Sequence, residues 1–249
     1  APIAYSNRGF AYRELGKNNE ALADFNKAIE QSNKYAEAYT FRGIIFKDLG
    51  KYSQAMSDFN NAINLKKDNS QAFNNRGILK RILTDYNGAL QDYTKALQIN
   101  PNYSEAYSNR GLLYKDINYL PEALKDLNNA IKLNPNLYES FYNRGLIYNQ
   151  FQQYDLAIND FNQAIAKYSK LEVAYLDRGI SKAMKGDLNG AISDFSHAIE
   201  LKPDFVTAYH NRALAKRNIN DLQGACKDWK IASLLGYPKA DENLAKYCN

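Results

Sequence analysis

Cysteine and histidine are almost missing from this 249-residue chain, with two of each, and there is a single tryptophan. Cys226 and Cys248 are too few for a disulfide scaffold and do not form metal-binding pairs, so the expectation is two reduced thiols. His197 and His210 join no cysteine or carboxylate at metal-ligand spacing, and no metal or other cofactor is expected. No GxxxxGKS/T, GxSxG or glycine-rich loop is present, which leaves no catalytic residue to name and predicts that the chain is not an enzyme. No apolar run approaches the ~18 residues of a membrane-crossing helix. The opening stretch APIAYSNRGF lacks the basic and apolar regions of a signal peptide. It does not begin with Met, so an upstream piece is expected to have been removed, and localisation stays open.

A strong charge of either sign is also lacking. The net charge of +5 is spread along the chain, so it favours acidic partners only weakly. At 45% hydrophobic and 24% charged, the chain has ample material for a buried core, and its length alone would suggest one or two domains.

What is present is self-similarity. Arg8, Arg42, Arg76, Arg110, Arg144, Arg178 and Arg212 recur every 34 residues, six of them followed by Gly and the last by Ala213. An aromatic stands three residues before each Arg, from Tyr5, Tyr39 and Phe73 to Tyr209. Alanines fall into two further columns, Ala21 to Ala225 and Ala28 to Ala232, with a bulky residue between them: Phe25, Phe59, Tyr93, Leu127, Phe161, Phe195 or Trp229. Each unit reads as two amphipathic helices. In the fourth, Tyr107, Arg110, Gly111 and Tyr114 share one face of the first helix, and Ala123, Leu127 and Ala130 share one face of a second, from about Pro121 to Leu133. Pro121 suits a first turn, and Ser53, Asn87, Asp155 and Asn189 in its column are expected caps. The helices should stop before Pro135 and Pro203.

This pattern resembles the tetratricopeptide repeat over nearly the whole chain, without insertion. The resemblance implies an all-α solenoid of seven helix-turn-helix repeats in a right-handed superhelix, first helices lining a concave groove. The repeats run about 2–35, 36–69, 70–103, 104–137, 138–171, 172–205 and 206–237 within 1–237, and 238–249 is expected to be a capping helix. Three departures stand out. Lys80, Lys182 and Lys216 replace the second aromatic of the first helix, so looser packing or snorkelling stems are expected there. The Pro column holds only Pro101, Pro135 and Pro203, and the arginine column stands where the family usually has Leu.

An arginine on a packed face needs a partner. Asp24, Asp58, Asp92, Asp126, Asp160, Asp194 and Asp228 recur at the same period, and the seven pairs read as an ion-pair ladder rather than a ligand-binding row. Whether they pair within or between repeats is open.

Binding should use the opposite face. At about 100° per residue, Asn109 and Leu112 point away from the partner helix. Asn7, Asn75, Asn109, Asn143 and Asn211 form one column, interrupted by Phe41 and Asp177; Phe10, Ile44, Ile78, Leu112, Leu146, Ile180 and Leu214 form another. Carboxamides can pair with successive amides of an extended peptide, and the Asn columns look similar to the row that serves this purpose in the tetratricopeptide domain of O-linked N-acetylglucosamine transferase. An apolar strip could take its side chains. The same residues could instead bond and pack between repeats. Arg13, Lys47, Arg81, Lys115 and Arg217 form a partial cationic row diluted by Glu14, Asp48 and Asp116, best read as solvated. The lysines of a carboxylate clamp are absent, Ser6, Thr40, Asn74 and Ser108 standing in that column. The expected partner is a protein or peptide and not nucleic acid, because interleaved aspartates oppose phosphate. Two alternatives are self-association through an uncapped N-terminal repeat and an adaptor role within a larger protein.

Overall fold

The computed structural model describes residues 2–248; Ala1 and Asn249, the outermost residues of the expected ranges, lie outside the described residues. The chain divides into two compact units, Ala1–Leu133 and Asn134–Asn249. The described residues of the first form four helical hairpins: α1 (Pro2–Glu14) with α2 (Asn18–Gln31), α3 (Ala36–Asp48) with α4 (Tyr52–Leu65), α5 (Ser70–Ile82) with α6 (Tyr86–Ile99), and α7 (Ser104–Asp116) with α8 (Leu120–Leu133). Those of the second form three hairpins and one further helix: α9 (Tyr138–Gln150) with α10 (Tyr154–Lys167), α11 (Glu172–Met184) with α12 (Leu188–Leu201), α13 (Val206–Asn218) with α14 (Leu222–Leu234), then α15 (Pro238–Tyr247).

Each hairpin turns at a residue in the left-handed region, where a Cβ crowds the backbone. Gly16, Gly50 and Gly186 take this position in three repeats; Thr84, Asn118, Gln152 and Asn220 adopt it in the others at φ of 57–65°. Second helices start earlier than their expected caps. Ser53, Asn87, Asp155 and Asn189 lie inside the first turn, and the caps that form are Asp85, Asp187 and Asp221, each accepting from the amide three residues on.

Within a hairpin the helices meet along the small-residue columns. Both alanine columns of the second helices are fully buried, as are Phe25, Phe59, Tyr93, Leu127, Phe161 and Trp229 between them. In the first six repeats these large side chains need the glycines opposite: a Cβ on Gly43 would stand 2.8 Å from the Phe59 ring, and one on Gly179 2.6 Å from Phe195, whereas Trp229 packs in one cluster with Ala213. In the first unit, consecutive first helices approach one another (α1 to α3 to α5 to α7) while second helices stand apart and pack on the first helix of the next hairpin. The second unit repeats this from α9 to α13. First helices thus form the inner side of each stack. α15 packs on α14, where Ala240 is buried and Leu244 and Tyr247 cover Trp229 and Ala232.

The cysteines depart from the expectation of reduced thiols. Cys226 on α14 and Cys248 after α15 form a disulfide, and no described cysteine is free. The packing of α15 on α14 brings together residues that are far apart in sequence, which spacing alone does not reveal.

Candidate functional site

Two sets of side chains recur on the first helices, one facing the second helices and one facing the inner side. On the first face, every arginine grips the aspartate of its own repeat with two parallel hydrogen bonds. Arg42 donates through Nε and Nη2 to Asp58 at 2.8 and 2.7 Å, and Arg110 to Asp126 at 2.6 and 2.9 Å. The same geometry joins Arg8 to Asp24, Arg76 to Asp92, Arg144 to Asp160, Arg178 to Asp194 and Arg212 to Asp228. Hydrogen bonds from Arg8 hold the Asp24 carboxyl below the usual carboxylate range against the opposing pull of burial, and the bond to Asp58 raises Arg42.

The arginines reach further than these pairs. Nη1 of Arg42, Arg76 and Arg178 donates to Asn26, Asn60 and Asn162 of the preceding second helix at 2.6–2.7 Å. Arg110 reaches Thr94 at 3.3 Å and Arg212 reaches Ser196 at 3.0 Å in the same way. Each of these guanidiniums therefore staples three helices, bonding 16 residues downstream and 16 upstream. The upstream acceptor column escaped the sequence reading because its residue type varies; a short hydrogen-bonding side chain at that register was the only signal. Its last member is Lys230 on α14, a cation where the others are acceptors.

Aromatics flank the staples. Tyr107 and Tyr114 lie 5.8 and 5.9 Å from the Arg110 guanidinium, and Phe141 and Tyr148 frame Arg144 alike. Where Lys80, Lys182 and Lys216 replace the second aromatic, the ammonium groups do not snorkel to solvent as expected. The ammonium turns inward to the aspartate already held by the arginine, at 2.9, 2.9 and 2.8 Å. A lysine one turn after the arginine shares its face, and a buried carboxylate is a stronger attractor than solvent at that depth.

On the inner side, Asn75, Asn143 and Asn211 adopt one arrangement: each donates from Nδ2 to the carbonyl four residues back at 2.9 Å, which fixes the carboxamide. Asn7 is exposed, and Asn109 instead donates to Asn74 of the preceding repeat at 3.0 Å. Both interruptions of the column also touch the preceding repeat. Phe41 packs its ring against Phe10, 5.2 Å away, and Asp177 accepts from Tyr142 at 2.8 Å, burial and this carboxylate together pushing the phenol up. The apolar column is mostly drawn into packing. Ile44 is buried, Ile78, Leu112, Leu146, Ile180 and Leu214 are half-buried, and Phe10 is exposed. In the cationic row, Arg13 pairs with Glu14, Lys47 with Asp48, and Arg81 and Lys115 with Asp116, while Arg217 lies over Tyr247. Ser6, Thr40, Asn74 and Ser108 are buried, and Thr40 accepts from Asn69. Among the described residues no cluster of metal-ligating side chains forms, and no helix is long and apolar enough to cross a membrane.

Models of the tetratricopeptide repeat match residues 2–35 and 36–69, and further repeat models match 82–118 and 109–172. No curated protein sequence matches. Among solved structures, MamA is 30% identical, aligned over 69% of this chain and 97% of its own, with a TM-score of 0.59. A tetratricopeptide repeat protein from Parabacteroides merdae covers 100% of this chain and 99% of its own at 22% identity and a TM-score of 0.65. YrrB, described as a TPR protein with an unusual peptide-binding site, covers 75% of this chain and 96% of its own at 22% identity and a TM-score of 0.58. Repeats of this type are protein-interaction modules and typically non-catalytic scaffolds. From its 34-residue period, its stacked helical hairpins and these matches, the chain belongs to the tetratricopeptide repeat family.

Proposed function

We propose that the inner, first-helix face of each unit binds an extended segment of a protein partner through its asparagines, Asn75 in the first unit and Asn143 and Asn211 in the second. One observation carries this reading. Asn75, Asn143 and Asn211 are each pinned to the helix backbone by the same bond, so their remaining amide hydrogen and carbonyl oxygen are held in one orientation relative to their helices. Groups fixed before binding lose little freedom on binding, which is how repeated weak hydrogen bonds sum to useful affinity. The half-buried aliphatic residues beside them supply apolar contact. The opposite face is unsuited to this task, because its arginines are committed to aspartates and stapled helices. YrrB, with its peptide-binding site, lends support by likeness of fold.

Panning a phage-displayed library of random linear peptides against the intact chain tests the reading. Enriched peptides should bind a variant carrying Asn75→Ala, Asn143→Ala and Asn211→Ala at least about tenfold more weakly, a loss of ~1.4 kcal/mol or more. Equal binding to both proteins would remove the asparagine column from the site.

A further inference from the structure

The inner face of the second unit carries a feature that the asparagine column does not explain. Where α11, α12 and α13 meet lies a cavity of about 230 Å³, lined by Ile180, Ala183 and Met184 of α11, Leu188 and Phe195 of α12, and Leu214 with the carboxamides Asn211 and Asn218 of α13. Its lining contains no ionisable side chain. The nearby cations are engaged elsewhere: Lys182 with Asp194, Lys216 with Asp228, and Arg217 with the Tyr247 ring and Asn218. A charged side chain entering here would lose its hydration and gain no partner, so the cavity selects an apolar one. Met184 stands 61% exposed at the lip, an unbranched and adaptable residue of the kind that closes over aliphatic groups.

The two carboxamides at the edge are complementary in kind. Asn211 commits an amide hydrogen to the Thr207 carbonyl and presents its oxygen as an acceptor. Asn218 accepts from Arg217 through Oδ1 and presents its amide as a donor. Seven residues separate them on one face of α13, a rise of about 10.5 Å. Three residues of extended peptide span about 10 Å, and in an extended chain the N–H of residue k and the C=O of residue k+2 point to the same edge. The side chain of residue k+1 then projects alone on one side.

We propose that this cavity is a specificity pocket for one bulky aliphatic side chain of an extended segment, whose preceding N–H is received by Asn211 and whose following C=O is received by Asn218. The segment runs parallel to α13. The inference rests on the inner face being the binding face, and it adds which residue the partner must carry and in which direction it lies.

The chain has two methionines, Met56 in the first unit and Met184 at the pocket, so methyl-labelled methionine gives one reporter and one internal control. The probe is N-acetyl-glycyl-leucyl-glycine amide titrated into the full chain, with the lysine and glutamate analogues in place of leucine. The leucine peptide should shift the Met184 methyl saturably and leave Met56 still, with both charged analogues at least about tenfold weaker. Ala183→Leu, which fills the cavity, should abolish the shift, and Asn211→Ala should weaken it several-fold with the cavity intact. An immobile Met184, or equal shifts from all three peptides, would overturn the pocket. If library-selected peptides depend on Asn143 and Asn211 but bind Ala183→Leu normally, the pocket falls and the binding face stands. If Met184 responds as expected while those peptides ignore the asparagines, the pocket stands and the column reading falls.

Discussion

Replacing Arg110 by Leu, the residue usual for the family at that column, should be costly in this chain. Arg110 holds Asp126 with bonds of 2.6 and 2.9 Å, and the Asp126 side chain is 3% exposed. Removing the cation strands a buried carboxylate, a loss of about 3–5 kcal/mol, of which new apolar contact of the leucine with Tyr107 and Tyr114 offsets about 1 kcal/mol. Arg76→Leu is the informative comparison. There Asp92 keeps a second cation, Lys80, at 2.9 Å, so the same change should cost only about 1–2 kcal/mol. The double variant Arg110→Leu with Asp126→Leu should recover most of the loss, since no unpaired charge remains. Thermal unfolding followed by circular dichroism reads this as a fall of about 5–10 °C for Arg110→Leu and about half that for Arg76→Leu. The comparison uses apparent midpoints, because stacked repeats need not unfold in one step. Equal falls for the two single variants, or a double variant no better than Arg110→Leu, would refute the role assigned to the second cation and to the stranded carboxylate.

Thr84 adopts φ 63°, a position that penalises a β-branched side chain, so Thr84→Gly should raise stability by about 1 kcal/mol; a lower melting temperature would show that its hydroxyl bond to Leu83 outweighs the strain. His210 is buried against Tyr237 with Nδ1 unpartnered, and burial, then the charge of Lys239, lowers its pKa. Its contribution to stability is complete above its unfolded value of about 6.5 and is lost as pH falls toward the folded value, so melting temperature should drop between about pH 7 and 5 and His210→Gln should flatten that drop. Thiol titration of the unreduced, unfolded protein should find no free cysteine. Reducing Cys226–Cys248 should destabilise α14 and α15 by about 2–3 kcal/mol, seen as an earlier red shift of Trp229, the single tryptophan, which stacks on Tyr247. Two reactive thiols before reduction, or an unchanged Trp229 transition after it, would contradict this.

What could be read from the sequence was whatever one residue type, or one apolar, aromatic or charged class, repeats. The 34-residue columns of arginine, aspartate and alanine are identities and the glycine column departs only at Ala213, because each position tolerates one charge or only a small side chain, and they located both helices of every hairpin. Positions defined only by a short hydrogen-bonding group or by a backbone angle stayed hidden. The acceptors Asn26, Thr94 and Ser196 have only a short polar side chain in common, and the turn position accepts Gly, Asn, Gln and Thr. Angular placement put Asn109 and Leu112 on the inner side but could not say that Asn74 would take up the Asn109 amide. The lysines misled because a cation in an aromatic column suggests a solvent-seeking stem until the aspartate's depth is known. The neutral pocket beside Met184 needed helices from successive repeats to be brought together, which no single column encodes.

Lys230 carries a consequence for how such a stack can grow. The five staples run in one direction, from an arginine back to an acceptor on the helix before it, so each of those junctions has a donor side and a receiving side. A first helix placed against α14 would bring its arginine to a lysine rather than to an asparagine, and would also have to displace α15, tethered through Cys226 and Cys248. Within each unit, repeats joined by a staple therefore carry matching couplings, while the α14 face is a blank one. Lengthening the stack at that face by design requires restoring the coupling with Lys230→Asn and removing α15, whereas a repeat duplicated inside either unit arrives with both halves of its coupling already in place.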